Sequence, residues 1–201
     1  MAAAGNDTAD NRRYTLAAIY LHWIIAAMIL IQLGVGWYMN EVLPDHSPAQ
    51  DQMQDFHVSF GLTILLLVVV RIAIRLIQPT PPLPRDMPAW ERILAQLAHA
   101  LFYVLLLALP LSGWALVSIR HEDIPFWGVA TPPLPGLADL GMPERKVLGH
   151  QLKHIHVYIL IWVVLINLVL HVAGALKHQL DGHPVIWRML PGAKRQPARV
   201  G

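Results

Sequence analysis

Four apolar runs, at residues 14–39, 57–77, 93–119 and 154–176, constrain this chain more than any other feature. A helix rises ~1.5 Å per residue, so ~20 apolar residues cross the ~30 Å of bilayer hydrocarbon, and each run is long enough. With 55% hydrophobic and 14% charged residues and a mean hydropathy of +0.46, the bulk of the chain does not suit water. The expected fold is all-α: an integral-membrane four-helix bundle, with residues 1–201 forming one transmembrane domain. The polar "MAAAGNDTADNRR" precedes an apolar run too long for a signal peptide, so the first span is expected to be retained.

Lys and Arg in the loops set the orientation. Eleven of the 15 lie at the N-terminus (Arg12, Arg13), between spans two and three (Arg71, Arg75, Arg85, Arg92) or at the C-terminal end (Lys177, Arg188, Lys194, Arg195, Arg199). Residues 40–56 have none and carry Glu41, Asp45, Asp51 and Asp55. The excess of cations on the cytoplasmic side puts both termini there, and residues 40–56 and 120–153 on the outer face. The proline-rich "QPTPPLPRDMP" cannot continue a helix and reads as an extended linker, and "PFWGVATPPLPGLADLGMP" as an irregular outer cap holding Phe126 and Trp127 at interface depth. Pro110 falls inside span three, where membrane helices tolerate a kink. Most of the seven tryptophans fall near the expected interfaces, as an aromatic belt does.

The chain has no cysteine, which excludes disulfides, thiolate zinc sites, iron–sulfur clusters and covalent haem attachment. Histidine is abundant instead, with 11 residues against 13 acidic ones. His46, His121 and His183 lie in loops beside Pro or acidic residues and read as solvated. His22, His57, His99, His150, His154, His156, His171 and His178 lie in or beside spans, where an ionisable ring is costly and marks a functional site by default.

Depth sorts these rings. His22 and His99 come early in outward-running spans and sit toward the cytoplasm; His57 and His156 come early in inward-running spans and sit toward the outside; His171, late in span four, returns to the cytoplasmic level. On an ideal helix His156 and His171 are ~22 Å apart and rotated by ~60°, one similar face at two depths. Rings facing each other across a bundle interior are what the two axial positions of a haem iron need, and two pairs would stack two haems across the membrane. A zinc or copper site would want three or four ligands converging at one depth, and a proton or metal transporter would want acidic residues at mid-depth, which the spans lack. A histidine-dependent transporter remains the reading of another class.

The stretches "AAIYLHWIIAA", "FHVSFGLTILLLVVVRIAIRLIQPTPPLP", "LAHALFYVLLLALPLSGW" and "LHVAGALKHQLDGHPVIWRMLPG" resemble the prokaryotic di-haem cytochrome b561 family, related to the b-type cytochrome subunits of nickel–iron hydrogenases and formate dehydrogenases. The resemblance covers nearly all of the chain after the first dozen residues. It implies two haem b groups with axial ligands His22, His57 and His171 and an outer ligand in span four. The family pattern places the two span-four ligands fourteen apart, which falls on Val157; the nearest histidine is His156, with His154 and His150 as competitors. A local bulge would admit His156. The implied pairs are His22 with His171 and His57 with His156.

His99 matches a family histidine outside the ligand set and is read as supporting the haem or a quinone. Arg71 and Arg75 are candidates for haem propionates or for snorkelling cations, and His178, beside Lys177, for an interfacial group. By resemblance, the function is transmembrane electron transfer in a bacterial inner membrane between an outer donor, superoxide, and the quinone pool, as a superoxide:ubiquinone oxidoreductase. Arg120, Arg145, Lys146 and Lys153 are the outer cations that would attract an anion. The alternative with haem is a cytochrome b subunit that anchors and drains a partner redox enzyme.

Overall fold

The computed structural model describes residues 13–78, 80–83, 87–120, 124–137, 139–181 and 185–193; Arg12, Arg85, His121, His183, Lys194, Arg195 and Arg199 lie outside them. Helices α1 (Leu16–Glu41), α2 (Pro48–Ile77) and α3 (Ala89–Ile119) are followed by α4 (Met142–Lys153), a π-helical stretch (His154–Leu160) and α5 (Ile161–Leu180), which run on as one rod. These make four helices long and apolar enough to cross a membrane. They are apolar on nearly all sides, as lipid-facing helices are: Trp162 and Leu170 are each 62% exposed.

Three helices start earlier than the apolar runs, α3 by one turn, at Ala89, and the second and fourth by more. The second begins at Pro48 rather than near residue 57, because Ser47 accepts a hydrogen bond from Gln50 N at 3.2 Å, proline occupies the first turn and Asp51 meets the positive helix end. Gln50 closes the preceding loop, donating to the Met39 carbonyl (3.2 Å) and accepting from His46 N (2.8 Å). The fourth rod begins at Met142, again with proline in its first turn. A side-chain cap at Ser47 and a proline-led polar turn at Met142, not apolarity, set these starts, so hydropathy does not see them.

The expected irregular cap contains a two-stranded hairpin, β1 (Ile124–Phe126) with β2 (Val129–Thr131), turned at Trp127 (φ 51°) and Gly128 (φ 86°). Consecutive positive φ values are what a two-residue hairpin turn requires, and glycine supplies one at little cost. Trp127 donates its backbone N–H to Ser59 Oγ (3.2 Å) and its indole N–H to Thr63 Oγ1 (3.0 Å), while buried Ile124 packs with Leu62 and Val117. The hairpin is thereby fastened over the ends of α2 and α3.

Packing is sequential: α1 on α2, α2 on α3, α3 on α4 and α5. Ile25, Ile64 and Val68 form the main core, joined by Leu106 and Leu107 of α3. At the end where α1 begins, the 3-10 turn Ile186–Met189 tucks under the bundle. Arg188, read from sequence as a loop cation, is only 6% exposed and donates to the Pro82 carbonyl at 2.7 Å. Trp23 donates to the Met189 carbonyl (2.5 Å), and Arg13 to the carbonyls of Ala193 and Leu190.

Asn167, 3% exposed, donates from Nδ2 to the Ala98 carbonyl at 3.1 Å and ties α5 to α3. Hydrogen bonds between membrane helices average ~0.6 kcal/mol and reach ~1.7. Replacement of Asn167 by leucine is expected to destabilise the bundle by about 1 kcal/mol. A denaturation midpoint in mild detergent checks this; an unchanged or raised midpoint sinks it.

Candidate functional site

With α1 taken to run upward, the span histidines fall on two levels. At the lower level the ring centroids of His22 (α1) and His171 (α5) lie 6.3 Å apart with planes at 62°. At the upper level those of His57 (α2) and His156 (π stretch) lie 6.2 Å apart at 83°. Each pair bridges α1 or α2 to the fourth rod, and the rod makes its backbone packing with α3 rather than with α1 or α2. The rings therefore meet across the side of the bundle that main-chain packing leaves open.

That separation has a chemical meaning. An imidazole nitrogen binds a metal at about 2 Å and lies roughly 1.1 Å from its ring centroid, so two rings on opposite sides of one metal place their centroids about 6.2 Å apart. Both pairs match. His99 is closer to His171, at 5.3 Å and 72°, which is too short to hold an axial metal between them. His99 instead fills the edge of the lower site, with Phe102 also against His171 at 5.3 Å.

Small residues let the upper rings lie against neighbouring helices. A Cβ on Gly113 would meet His156 Cε1 at 3.2 Å, and one on Gly36 would meet His57 Cε1 at 3.4 Å. Gln32, 8% exposed, donates to the His57 carbonyl at 2.7 Å and fixes α1 to α2 beside the ring. His57 Nδ1 is buried with no hydrogen-bond partner among the described residues. Ser112 Oγ lies 2.8 Å from His156 Nδ1.

The π stretch bears on the register of span four. A straight helix turns through about 60° (modulo a full turn) in fifteen residues and about −40° in fourteen, at ~100° per residue. A π turn is wider and advances fewer degrees per residue. With His156 and the four residues after it in π geometry, the fifteen-residue separation from His171 rotates toward the fourteen-residue value. His150 and His154 point elsewhere: both are exposed, and the His154 ring leans on Tyr158 at 5.5 Å.

At the lower end, Arg71 turns to α1, donating to the Ala18 carbonyl at 3.0 Å and reaching His22 Nδ1 at 3.4 Å, while Arg75 is exposed. His178 approaches Glu91 (3.6 Å), which also pairs with Lys177 (3.0 Å). At the upper end, a cleft of about 420 Å³ is lined by Arg120, Arg145, Lys146, Lys153 and His150 among others, so four cations dispersed between residues 120 and 153 share one cleft. An adjoining cleft of about 190 Å³ runs along His150, Lys153, His154 and Tyr158. Ser112, Gly113, Gly36 and Gln32 carry no signal in the sequence; only an alignment of helix faces reveals them.

The chain matches the model of a protein family described as "Prokaryotic cytochrome b561" over residues 13–192. The chain belongs to the prokaryotic cytochrome b561 family. It is 29% identical to "Cytochrome b561 homolog 2" of Escherichia coli over 185 residues, covering 91% of this chain and 94% of that one. "Cytochrome b561 homolog 1" of the same organism is 30% identical over 60% of this chain and 68% of its own. A Yersinia pestis protein named "Probable superoxide oxidase CybB" is 32% identical over 61% of this chain and 68% of its own. Membership implies b-type haem binding and a role in transmembrane electron transfer, in a multi-pass bacterial membrane protein.

Proposed function

We propose that this cytochrome b561-family chain holds two b haems, one between His22 and His171 and one between His57 and His156, and carries electrons across the inner membrane. The observation that carries the proposal is the pair of ring separations, 6.3 and 6.2 Å, at two levels of one bundle. The cation distribution in the sequence supports an outer upper level and a cytoplasmic lower level, with both termini cytoplasmic. A haem with both axial positions filled supplies reversible one-electron chemistry and has no open site for oxygen.

The chain's own part is positioning and burial. The histidines hold the two levels roughly 22 Å apart along the fourth rod, a separation set by ~1.5 Å per residue. Gly36 and Gly113 allow the upper rings to sit close against the helices.

The electron donor is an anion at the outer face, superoxide, and the acceptor is ubiquinone. The first choice is supported by the Arg120, Arg145, Lys146 and Lys153 cleft close to the upper histidines and by the printed name of the Yersinia pestis relative. A cleft of one sign speeds an oppositely charged reactant by a factor of ~10–10³.

The test is a purified chain assayed alone: superoxide should reduce its b-type alpha band, and a soluble ubiquinone analogue should reoxidise it. Charge reversal at Lys146 and Lys153 together is expected to slow the first step about tenfold at low salt and to weaken its salt dependence. Reduction that requires an added partner enzyme would replace superoxide with that enzyme as donor.

A further inference from the structure

The side chain that fixes the chemistry of the upper site is a serine of α3 that binds nothing but its neighbours. Ser112 Oγ donates its single hydrogen to the Leu109 carbonyl at 2.8 Å. The same oxygen lies 2.8 Å from His156 Nδ1. A hydroxyl has one hydrogen and two lone pairs, so with the hydrogen committed to Leu109 it can only accept from the ring. His156 must then carry its proton on Nδ1, and the lone pair falls on Nε2.

We propose that Ser112 is a positioning residue for the upper haem: its hydroxyl holds His156 as the Nδ1–H tautomer, frees Nε2 for the iron, and strengthens that nitrogen as a donor. The inference rests on the reading of His156 as an axial ligand. A hydrogen bond donated by the far nitrogen makes a ligating imidazole more basic, which favours the oxidised metal and lowers its potential. The rings of His57 and His22 lack this arrangement among the described residues. His57 Nδ1 has no partner among the described residues, and His22 Nδ1 faces the donor Arg71. Gly113, the next residue, leaves the ring the space that a Cβ would crowd, at 3.2 Å from His156 Cε1.

The experiment is a redox titration of the full-length haem-loaded protein, followed at the alpha band and by low-temperature EPR, with Ser112→Ala and Ser112→Thr. In Ser112→Ala, one midpoint should rise and one low-spin signal should shift, while the other haem stays as in the wild type; Ser112→Thr, which keeps the hydroxyl, should restore both. Selective loss of that haem in Ser112→Ala with retention in Ser112→Thr also supports the role. Unchanged midpoints and signals in Ser112→Ala would overturn it, as would equal disturbance by both variants. If His156→Ala keeps both haems, the ligand assignment itself fails, and that result is read independently of either serine variant.

Discussion

Replacing His57 or His156 by alanine is expected to halve the haem content of the purified protein, from two per chain to one, and to leave the spectrum of the lower site intact. On the proposed ligation each ring would hold one side of a haem, and the pairs share no ring: His57 faces His156, and His22 faces His171. Removing one partner would take away one of the two side chains that would hold that haem and leave a hole where an imidazole filled the space. Metal ligation supplies much of the binding free energy of such a site, so the loss is large. The complementary pair, His22 and His171, should behave the same way at the lower level. A haemochromogen assay against protein concentration reads the ratio directly, and two low-spin haems surviving any one of the four replacements would remove that residue from the ligand set. His99→Ala is the informative control. With its ring 5.3 Å from His171, His99 touches the lower site, but its loss should alter that site's spectrum and leave both haems in place.

The second large effect concerns the register of span four. His154–Leu160 is wound as π-helix inside an otherwise α-helical rod, and the His156–His171 separation is fifteen residues. Deleting one residue of the π stretch after His156, such as Ile159, gives a separation of fourteen that an unbroken α-helix already presents on nearly the same face. The deletion variant is therefore expected to keep both haems and to lose its π turn, an unusual outcome for a deletion inside a membrane helix. Inserting an alanine between Ile159 and Leu160 should do the opposite, swinging the upper histidine by roughly 100° and one rise of ~1.5 Å away from His57 and abolishing the upper haem. Haem content of the two variants decides the matter. Loss of one haem in the deletion, or retention of both in the insertion, would mean that the π stretch does not set the register.

Much of this was legible before any coordinates. Apolar run length located all four spans, and the depth of each histidine within its run gave the two levels, because a helix converts residue number into distance at a fixed rise. The motifs of the chain carried the family. What failed was informative: the starts at Pro48 and Met142 extend beyond the apolar runs because caps and polar turns make helix without hydrophobicity. The hairpin over α2 and α3 hid within a proline-rich loop because its strands are only three residues long. The choice among His150, His154 and His156 stayed open because all three lie within two turns of one helix.

Sequence by itself determined how many helices cross, how deep each histidine lies and which family the chain resembles, since these depend on residue type and order along one axis. Only the tertiary structure decided which rings face each other, that His99 crowds His171 without spanning a metal's width, that four dispersed cations share one cleft, and that Ser112 meets His156. The physical reason is rotational. Helices apolar on nearly every side have no stripe to say which face turns inward, so rotation about each axis, and with it every contact between spans, is fixed only when the helices pack against one another.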